Sequence, residues 1–327
     1  MSEPANDKVP TSLDSPDVSV IIAGYKAEGF VHHAIGSALS QDGVGIEVIL
    51  VDDCSPDGTA EAARAAFPDE PRLFIARLSE NGGPSAARNH GLSLARGRYY
   101  AVLDADDTFS PGRLAHLVEV ADAGGYDLVA DNMAKAPVPF HPEAAGPFLK
   151  PGAIGDGVTL DLATFMDPLS DTRFGEPLGY LKPLFRRATL EAMDLAYDTA
   201  LRNSEDYYLV AEMLARGACY RLVPHESYHY TVQVGSESHR LGATRAQAIL
   251  DAELAFVERH GPSFDETAWA ASKRREKWIR KMRLIERVAE GLKAGRPVSA
   301  AMAVGQDPRS APALVDWSLE VIRKRTG

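Results

Sequence analysis

The chain has 327 residues, of which 45% are hydrophobic and 25% are charged, and these values are ordinary for a globular protein with a substantial core. Its formal net charge of −11 argues against nonspecific nucleic-acid binding, and no run of about 18 apolar residues indicates a membrane span. Two distant cysteines, Cys54 and Cys219, indicate neither a zinc site nor a disulfide framework, and we expect reduced thiols in a cytosolic protein.

The first half of the chain alternates strand and helix patterns. Residues 1–16 are polar and rich in Pro and Ser, without the apolar segment of a signal peptide, so we expect a disordered leader. Apolar runs then predict strands at Val18–Ala23, Ile46–Val51, Arg72–Ala76 and Tyr99–Leu103. Helices are predicted between them at about 28–41, 58–67 and 84–96. This alternation indicates βαβ units and a mostly parallel sheet that is covered on both faces.

The second half has weaker patterns. Residues 134–180 are rich in Pro and Gly and are predicted to form loops that contact substrate. A helix is predicted from about Asn203 to Arg216, because Ser or Asn followed by acids is typical of a helix start. Strand-like runs follow at 219–223 and 227–232, and the pattern becomes helical from about Thr244. We therefore predict three parts: a leader (1–16), an α/β domain (17–240) and a helical extension (241–327).

Acidic side chains gather directly after the predicted strands. In a parallel sheet the ligand lies at the carboxyl ends of the strands. Gly24 and Tyr25 follow the first strand, and five acids follow the second and fourth: Asp52, Asp53, Asp104, Asp106 and Asp107. Because close carboxylates repel, a protein that gathers them usually neutralises them with a cation, and their hard oxygens suit Mg²⁺ or Mn²⁺. The alternative is that these acids are ordinary turn residues or helix caps.

Two common nucleotide-binding motifs are missing from the sequence. The segment after the first strand, Ala23–Gly29, does not have the G-x-G-x-x-G pattern of a dinucleotide-binding domain, and no Walker A sequence occurs. Seven other segments occur in a fixed order: Pro16–Tyr25, Val51–Thr59, Asn81–Gly91, Leu103–Asp107, Leu184–Arg187, Ser204–Asp206 and Val234–Ser238. Together they resemble glycosyltransferase family 2, and within it the members that build bacterial exopolysaccharides such as succinoglycan. The resemblance covers residues 17–240.

The family resemblance implies a fold and a reaction. The expected fold is GT-A, a Rossmann-like, mostly parallel sheet flanked by helices, here with a helical C-terminal extension. The expected reaction is an inverting, metal-dependent transfer of a sugar from a nucleotide sugar, with UDP favoured, to a hydroxyl of a glycan or lipid-linked oligosaccharide. A sugar-phosphate nucleotidyltransferase and a non-catalytic nucleotide-sugar-binding module remain alternatives.

The resemblance also implies roles for individual residues. The donor would be bound by Ala23, Tyr25, Asp53, Arg88, Asp104, Ser236 and Ser238. Asp106 and Asp104 would hold Mg²⁺ or Mn²⁺, and Asp206 would be the catalytic base. The alternative for Asp206 is that it only complements the dipole of its helix. Two positions depart from the family pattern: Ala23 stands where a hydroxyl-bearing residue is frequent, and Gln233 where a basic residue or His is frequent.

The helical extension contains a basic segment at residues 273–293. An apolar stripe is predicted within it: Trp278, Met282, Ile285, Ala289 and Leu292. Basic residues surround this stripe, so the helix either packs on its own protein with a solvated charged face or lies on an anionic membrane. The second alternative would place the protein in the cytoplasm, peripherally on the inner face of the plasma membrane.

Overall fold

The computed structural model describes residues 15–137, 145–232, 241–312 and 314. These residues fall into two compact units, one within Met1–Asp161 and Ser170–Gln233 and the other within Leu162–Leu169 and Val234–Gly327. The predicted leader lies outside the described residues except at positions 15 and 16.

The first unit begins with the predicted alternation of strands and helices. Its elements are β1 (Val18–Gly24), α1 (Val31–Leu39), β2 (Ile46–Asp52), α2 (Thr59–Ala66), β3 (Leu73–Arg77), α3 (Pro84–Leu94) and β4 (Tyr99–Val102). β1 and β2 are short runs of apolar, mostly branched residues, and almost every side chain in them is buried. Val18 pairs in parallel with both Ile46 and Tyr99, so the carboxyl ends of β1, β2 and β4 lie at one edge of the sheet.

Elements of two to thirteen residues follow up to position 232, and all of them except the helix Leu162–Met166 belong to the first unit. They are β5 (Thr108–Phe109), α4 (Arg113–Gly124), β6 (Leu128–Pro137), β7 (Gly146–Pro147), β8 (Val158–Leu160), α5 (Leu162–Met166), α6 (Ser170–Phe174), a 3₁₀ turn (Leu178–Tyr180), β9 (Leu184–Arg186), α7 (Arg187–Ala192), α8 (Glu205–Ala215) and β10 (Tyr220–Val232). The prediction of loops over 134–180 was therefore wrong in part, because elements of two to five residues are too short to show a hydrophobic period. The two strands predicted near the end are one strand, β10, whose register shifts between Val223 and Tyr228, where Pro224 cannot donate a hydrogen bond.

The strands of the described residues form one ten-stranded sheet. Its order is β3-β2-β1-β4-β9-β6-β10-β5, with β7 paired to β6 and β8 paired to β10. The first four strands pair in parallel, whereas β9 is antiparallel to both of its neighbours, β4 and β6. The predicted α/β class, with a helix-flanked sheet, is confirmed. Parallel pairing occurs among the first four strands and again between β6 and β10.

The second unit is helical, as predicted for the C-terminal region. Besides α5 it contains α9 (Gly242–His260), a 3₁₀ turn (Gly261–Ser263), α10 (Glu266–Lys293), α11 (Pro297–Gln306) and a final 3₁₀ turn (Pro308–Ser310). The Asp265 side chain caps α10 by accepting a hydrogen bond from the backbone N–H of Ala268. Among the described helices, none is both long and apolar enough to cross a membrane.

The apolar stripe predicted for α10 is not the face that the helix buries, so the alternative in which the stripe packs on the protein was wrong. Of its five residues only Ile285 is buried, while Trp278 and Leu292 are 42% and 53% exposed. The buried positions are instead Ala268, Ala271, Ser272, Ile279, Leu284, Ile285, Val288 and Gly291. The reason is that this 28-residue helix packs on different neighbours along its length, with Arg275 paired to α9 and Gly291 against Ala300 of α11. One stripe of constant period cannot serve two differently placed neighbours.

Candidate active site

Two of the predicted donor contacts lie at the carboxyl end of β1 and directly after it. Tyr25 directly follows the strand and is 46% exposed, so one face of its ring can stack on a planar ligand. Ala23 lies inside β1, and its side chain packs against a core that includes Ile49 and Val51. Because that side chain is used in the core, Ala23 can offer a ligand only its backbone groups.

Asp53 follows β2 and holds the loop that precedes α3. Its carboxylate accepts hydrogen bonds from the backbone N–H groups of Gly82 (2.7 Å) and Gly83 (2.8 Å) and from Nδ2 of Asn81 (2.9 Å). Burial raises the pKa of Asp53, although the two backbone donors oppose this shift. Its contact with the donor base stays a prediction, and the structure gives the carboxylate a further task, which is to shape the loop.

Arg88 reaches the same edge of the sheet from α3. Gly91, one turn later, allows α3 to approach β1 closely, since a Cβ there would lie 2.6 Å from Cγ2 of Ile21. The Arg88 side chain is 4% exposed, and its Cζ lies 5.5 Å from the ring centroid of Tyr197. Its guanidinium group points at carboxylates, so the predicted contact with the base or phosphates stays a prediction.

Arg88 and Lys182 join three acidic side chains into what we name the ion-pair cluster. Nη2 of Arg88 lies 2.8 Å from Oδ1 of Asp104, and its Nη1 lies 2.6 Å from Oε1 of Glu205 and 3.1 Å from Oδ1 of Asp206. Nζ of Lys182 lies 2.9 Å from Oδ2 of Asp104 and 2.6 Å from Oδ2 of Asp206. The same two cations therefore bridge Asp104 at the end of β4 and Asp206 at the start of α8.

The charges in the cluster fix its protonation. Burial alone would raise the pKa of Asp104, but Lys182 and Arg88 outweigh it and hold that pKa well below its usual range. Burial alone would lower the pKa of Lys182, but Asp104 and Asp206 raise it above its ordinary value. Asp104 is thus a carboxylate and Lys182 an ammonium group at neutral pH.

Lys182 is a site residue that the sequence analysis missed. It lies between the Leu178–Tyr180 turn and β9, at the end of the weakly patterned region. Its carbonyl oxygen accepts a hydrogen bond from Nη2 of Arg113 (2.8 Å), whose guanidinium also pairs with the buried Asp131. The signal that could have found it is a single lysine between apolar residues directly before a strand, because a buried lysine requires an acidic partner.

Asp206 lies in the first turn of α8, where the helix dipole favours a carboxylate. Ser204, the residue that precedes α8, has φ of +66°. This left-handed conformation is costly for a residue other than glycine and often occurs at functional sites. Oδ1 of Asp206 is buried, and it accepts no hydrogen bond from any of the residues that the structure describes. Nη1 of Arg88 lies 3.1 Å from this atom in an ion pair, and an acceptor atom without a hydrogen bond can take one, and then a proton, from a bound hydroxyl.

The predicted metal ligands, Asp104 and Asp106, lie at the end of β4. Burial, and then repulsion by Asp104, raises the pKa of Asp106 to about 6. A divalent cation would offset this repulsion, and carboxylate oxygens are the ligands that Mg²⁺ and Mn²⁺ prefer. Over the described ranges, no group of three or more His, Cys, Asp or Glu side chains is arranged to hold a metal ion. Two carboxylates alone would leave such a cation to take its other ligands from a bound diphosphate or from water.

Asp107 belongs to the predicted acidic edge, but the structure gives it a packing role. It is 1% exposed, and its carboxylate accepts hydrogen bonds from the Tyr228 hydroxyl and from the backbone N–H of Thr231, each at 2.7 Å. Asp107 therefore ties β10 to the loop after β4. The remaining predicted donor contacts, Ser236 and Ser238, lie outside the described residues, as does Gln233.

Two solved structures illustrate the fold that this chain shares. One is S. aureus TarS 1–349 in complex with UDP-GlcNAc, with a TM-score of 0.59 and 17% identity over 90% of this chain and 92% of that chain. Another is the mannosyltransferase PcManGT from Pyrobaculum calidifontis in complex with GDP-Man and Mn²⁺, with a TM-score of 0.57 and 17% identity over 98% and 84% of the two chains. These similarities confirm the predicted GT-A fold.

The sequence relatives establish the family. Residues 19–148 match the sequence model of the family described as glycosyl transferase family 2. The succinoglycan biosynthesis protein ExoO of Rhizobium meliloti (strain 1021) is 37% identical over 94% of this chain and 85% of its own length. The succinoglycan biosynthesis protein ExoU of the same strain is 35% identical over 83% and 77%. This chain therefore belongs to glycosyltransferase family 2 and is a glycosyltransferase.

Proposed function

We propose that this glycosyltransferase moves a sugar from a UDP-sugar to an acceptor hydroxyl with inversion of configuration and with the help of Mg²⁺ or Mn²⁺. The observation that carries the proposal is Oδ1 of Asp206, a buried acceptor atom without a hydrogen bond that lies in the same ion-pair cluster as Asp104. The Asp206 carboxylate is thereby available to accept a proton, and Asp104 and Asp106 are the two carboxylates that we propose hold the cation. We further propose that residues 17–240 form the catalytic domain and 241–327 an extension of it.

The proposed chemistry is a single displacement. The acceptor hydroxyl gives its proton to Oδ1 of Asp206, while its oxygen forms the new bond to the anomeric carbon of the donor sugar. The bond from that carbon to the diphosphate breaks on the opposite side, so one displacement inverts the configuration. A cation bound at Asp104 and Asp106 would offset the negative charge that develops on the leaving diphosphate.

The donor and the product class are proposed from relatives. The UDP-GlcNAc complex of TarS, together with the family resemblance, supports a UDP-sugar, and the GDP-Man complex of PcManGT makes GDP-sugars the comparison to test. The names of ExoO and ExoU support a role in the synthesis of an exopolysaccharide, with a glycan or a lipid-linked oligosaccharide as acceptor. Membership of glycosyltransferase family 2 favours sugar transfer over both alternatives, a nucleotidyltransferase and a non-catalytic nucleotide-sugar-binding module.

The first experiment measures release of nucleoside diphosphate from a panel of UDP- and GDP-sugars, with and without acceptor glycans. We expect Asp206→Asn to keep donor affinity and to lower kcat by about 10²- to 10⁴-fold, because the amide keeps the shape but cannot accept the proton. Asp251→Asn, an exposed change on α9, is the matched control and should leave turnover unchanged. Wild-type turnover in Asp206→Asn would reject Asp206 as the base, and pyrophosphate release from a nucleoside triphosphate would contradict the whole scheme.

The second experiment tests the cation. Wild-type protein should gain thermal stability from UDP in the presence of Mn²⁺, by about 2.7 kcal/mol at 100 times Kd, and should lose the gain when a chelator is added. Asp106→Ala should remove the Mn²⁺-dependent part of this shift, while Asp69→Ala, an exposed loop change, should keep it. Full activity of the wild-type protein in a chelator would rule out metal dependence.

We also propose that the protein acts in the cytoplasm, with peripheral contact to an anionic membrane. The support comes from the outer surface of α10, where Lys273 and Lys277 are exposed one turn apart and Trp278 is 42% exposed. Two apolar residues of α11, Val298 and Met302, add to it, since they are 72% and 60% exposed. Such a surface suits attraction to lipid headgroups followed by shallow insertion.

Vesicle sedimentation tests the membrane contact. At low salt, wild-type protein should sediment with vesicles that contain about 30% anionic lipid and not with neutral vesicles, because surface attraction is least screened there. The double variant Lys273→Glu with Lys277→Glu should weaken the sedimentation, whereas Lys150→Glu, an exposed change in the first unit, should not. Protein that stays in solution with anionic vesicles at low salt would refute the contact.

A further inference from the structure

Lys182 makes contacts that the proposed reaction has not yet used. Its side chain is only 10% exposed, and its ammonium group touches two aspartates, Asp104 at 2.9 Å and Asp206 at 2.6 Å. The backbone of Lys182 is held in place from behind, because Arg113 donates a hydrogen bond to its carbonyl oxygen and is itself fixed by the buried Asp131. The ammonium group is therefore a fixed point between the end of β4 and the start of α8.

The two oxygens of Asp206 have different environments. Oδ2 accepts the short hydrogen bond from Lys182, whereas Oδ1 is buried and accepts none from the described residues. Nη1 of Arg88 lies 3.1 Å from Oδ1 but makes its hydrogen bond to Glu205 at 2.6 Å. Contact with Lys182 at one oxygen fixes the rotation of the carboxylate about its Cβ–Cγ bond, and this rotation leaves Oδ1 as the available acceptor atom.

We propose that Lys182 is a positioning residue for sugar transfer, which holds Oδ2 of Asp206 so that Oδ1 receives the proton of the acceptor hydroxyl. This inference rests on the proposed function of Asp206 as the base. The proton passes from the hydroxyl oxygen to Oδ1, and the electron pair that it leaves forms the bond to the anomeric carbon as the diphosphate departs. Lys182 keeps its own protons throughout and contacts neither of the atoms between which the new bond forms.

A positioning role differs from a purely structural one in what it does to kinetics. A misplaced base slows the chemical step, while the donor can still bind through groups on the first strands, so kcat should fall much more than donor KM rises. Arg88 remains in contact with both Asp104 and Asp206 when Lys182 is changed, which keeps the two acids in one pocket. The rotation of Asp206 is then the property that is lost.

The experiment compares Lys182→Met, Lys182→Gln and Lys182→Arg with the matched control Arg98→Met. Arg98 also bridges two aspartates, Asp17 and Asp122, but it lies where β1 and β4 begin, which is the edge of the sheet away from their carboxyl ends. We expect Lys182→Met and Lys182→Gln to lower kcat about 10- to 100-fold with donor KM changed less than threefold. If Lys182→Met lowers kcat 100-fold, the kcat of Lys182→Arg should be at least tenfold higher than that of Lys182→Met. Arg98→Met should keep the wild-type kcat.

A double-mutant cycle then tests whether Lys182 acts through Asp206. When Asp206→Asn is already present, adding Lys182→Met or Lys182→Gln should lower kcat less than threefold, because the base whose position it sets is gone. Multiplication of the two single effects would overturn the proposal, and so would an unchanged kcat in a Lys182 variant that unfolds in one sharp transition. If Lys182→Met does not fold, Lys182→Gln carries the test, since it keeps a donor beside both acids. Wild-type turnover of Asp206→Asn would instead reject the proposed base itself.

Discussion

Replacement of Asp53 by alanine separates two roles that this residue can have. The carboxylate accepts three hydrogen bonds from Asn81, Gly82 and Gly83, and the residue is 3% exposed. A hydrogen bond to a charged acceptor contributes about 1.5–3 kcal/mol, so three would contribute roughly 4.5 kcal/mol at the lower value. Part of this is offset by the cost of burying the carboxylate, which also raises the pKa of Asp53. We therefore expect Asp53→Ala to lower the free energy of unfolding by about 3 kcal/mol.

Urea unfolding measures this loss, and Asp53→Asn and Asp69→Ala complete the series. The amide of Asp53→Asn retains one acceptor oxygen, so its loss should be intermediate, at about 1–2 kcal/mol. Asp69→Ala, at an exposed loop position, should change the free energy of unfolding by less than about 0.5 kcal/mol. A loss below about 1 kcal/mol in Asp53→Ala, together with weaker UDP binding, would refute the loop-holding role and leave contact with the donor as the main task of Asp53.

Two further predictions concern the first unit. Asp131→Ala should lower the free energy of unfolding in urea by about 3–5 kcal/mol, because it leaves the buried guanidinium of Arg113 without its carboxylate; a loss below 1 kcal/mol would contradict this. Burial, and then the neighbouring His225 ring, lowers the pKa of His116, although Glu119 and Asp131 oppose the shift. The unfolded chain then binds a proton more readily than the folded one, so the stability from neutral His116 is complete at pH 8 and declines as the pH falls through 6.5. In unfolding midpoints between pH 8 and pH 5.5, His116→Gln should lose less than wild type; equal losses would contradict the assignment.

The sequence could predict the part of the site that depends on strand ends. β1, β2 and β4 are continuous apolar runs, and a parallel sheet brings the residues after them to one edge, so Tyr25, Asp53 and Asp104 could be grouped before any coordinates were known. Their partners could not be predicted in this way. Lys182 is 78 residues from Asp104 and lies in a region of short elements, where no periodic pattern indicates which way a side chain points.

A local sequence pattern also could not predict which face of α10 is buried. A hydrophobic period indicates that a helix is amphipathic, but it assumes that one face is buried from end to end. Trp278 and Leu292 fit the period yet are exposed, because the helix is covered first by α9 and then by α11. A change of packing partner along a helix is a tertiary property, and no local pattern in residues 273–293 encodes it.

The charge balance of the site is the electrostatic argument for the proposed cation. Four carboxylates, Asp104, Asp106, Glu205 and Asp206, would repel one another strongly if they were gathered without compensation. Arg88 and Lys182 supply two positive charges at distances of 2.6–3.1 Å, which leaves a formal charge of −2 when all four acids are ionised. The protein's own cations thus stabilise Asp104 and Asp206, while burial, and then repulsion by Asp104, raises the pKa of Asp106. A divalent cation would bring this local sum to zero. The site would then no longer repel the two negative charges of an arriving diphosphate, and this is the electrostatic reason for the donor and the cation to bind together.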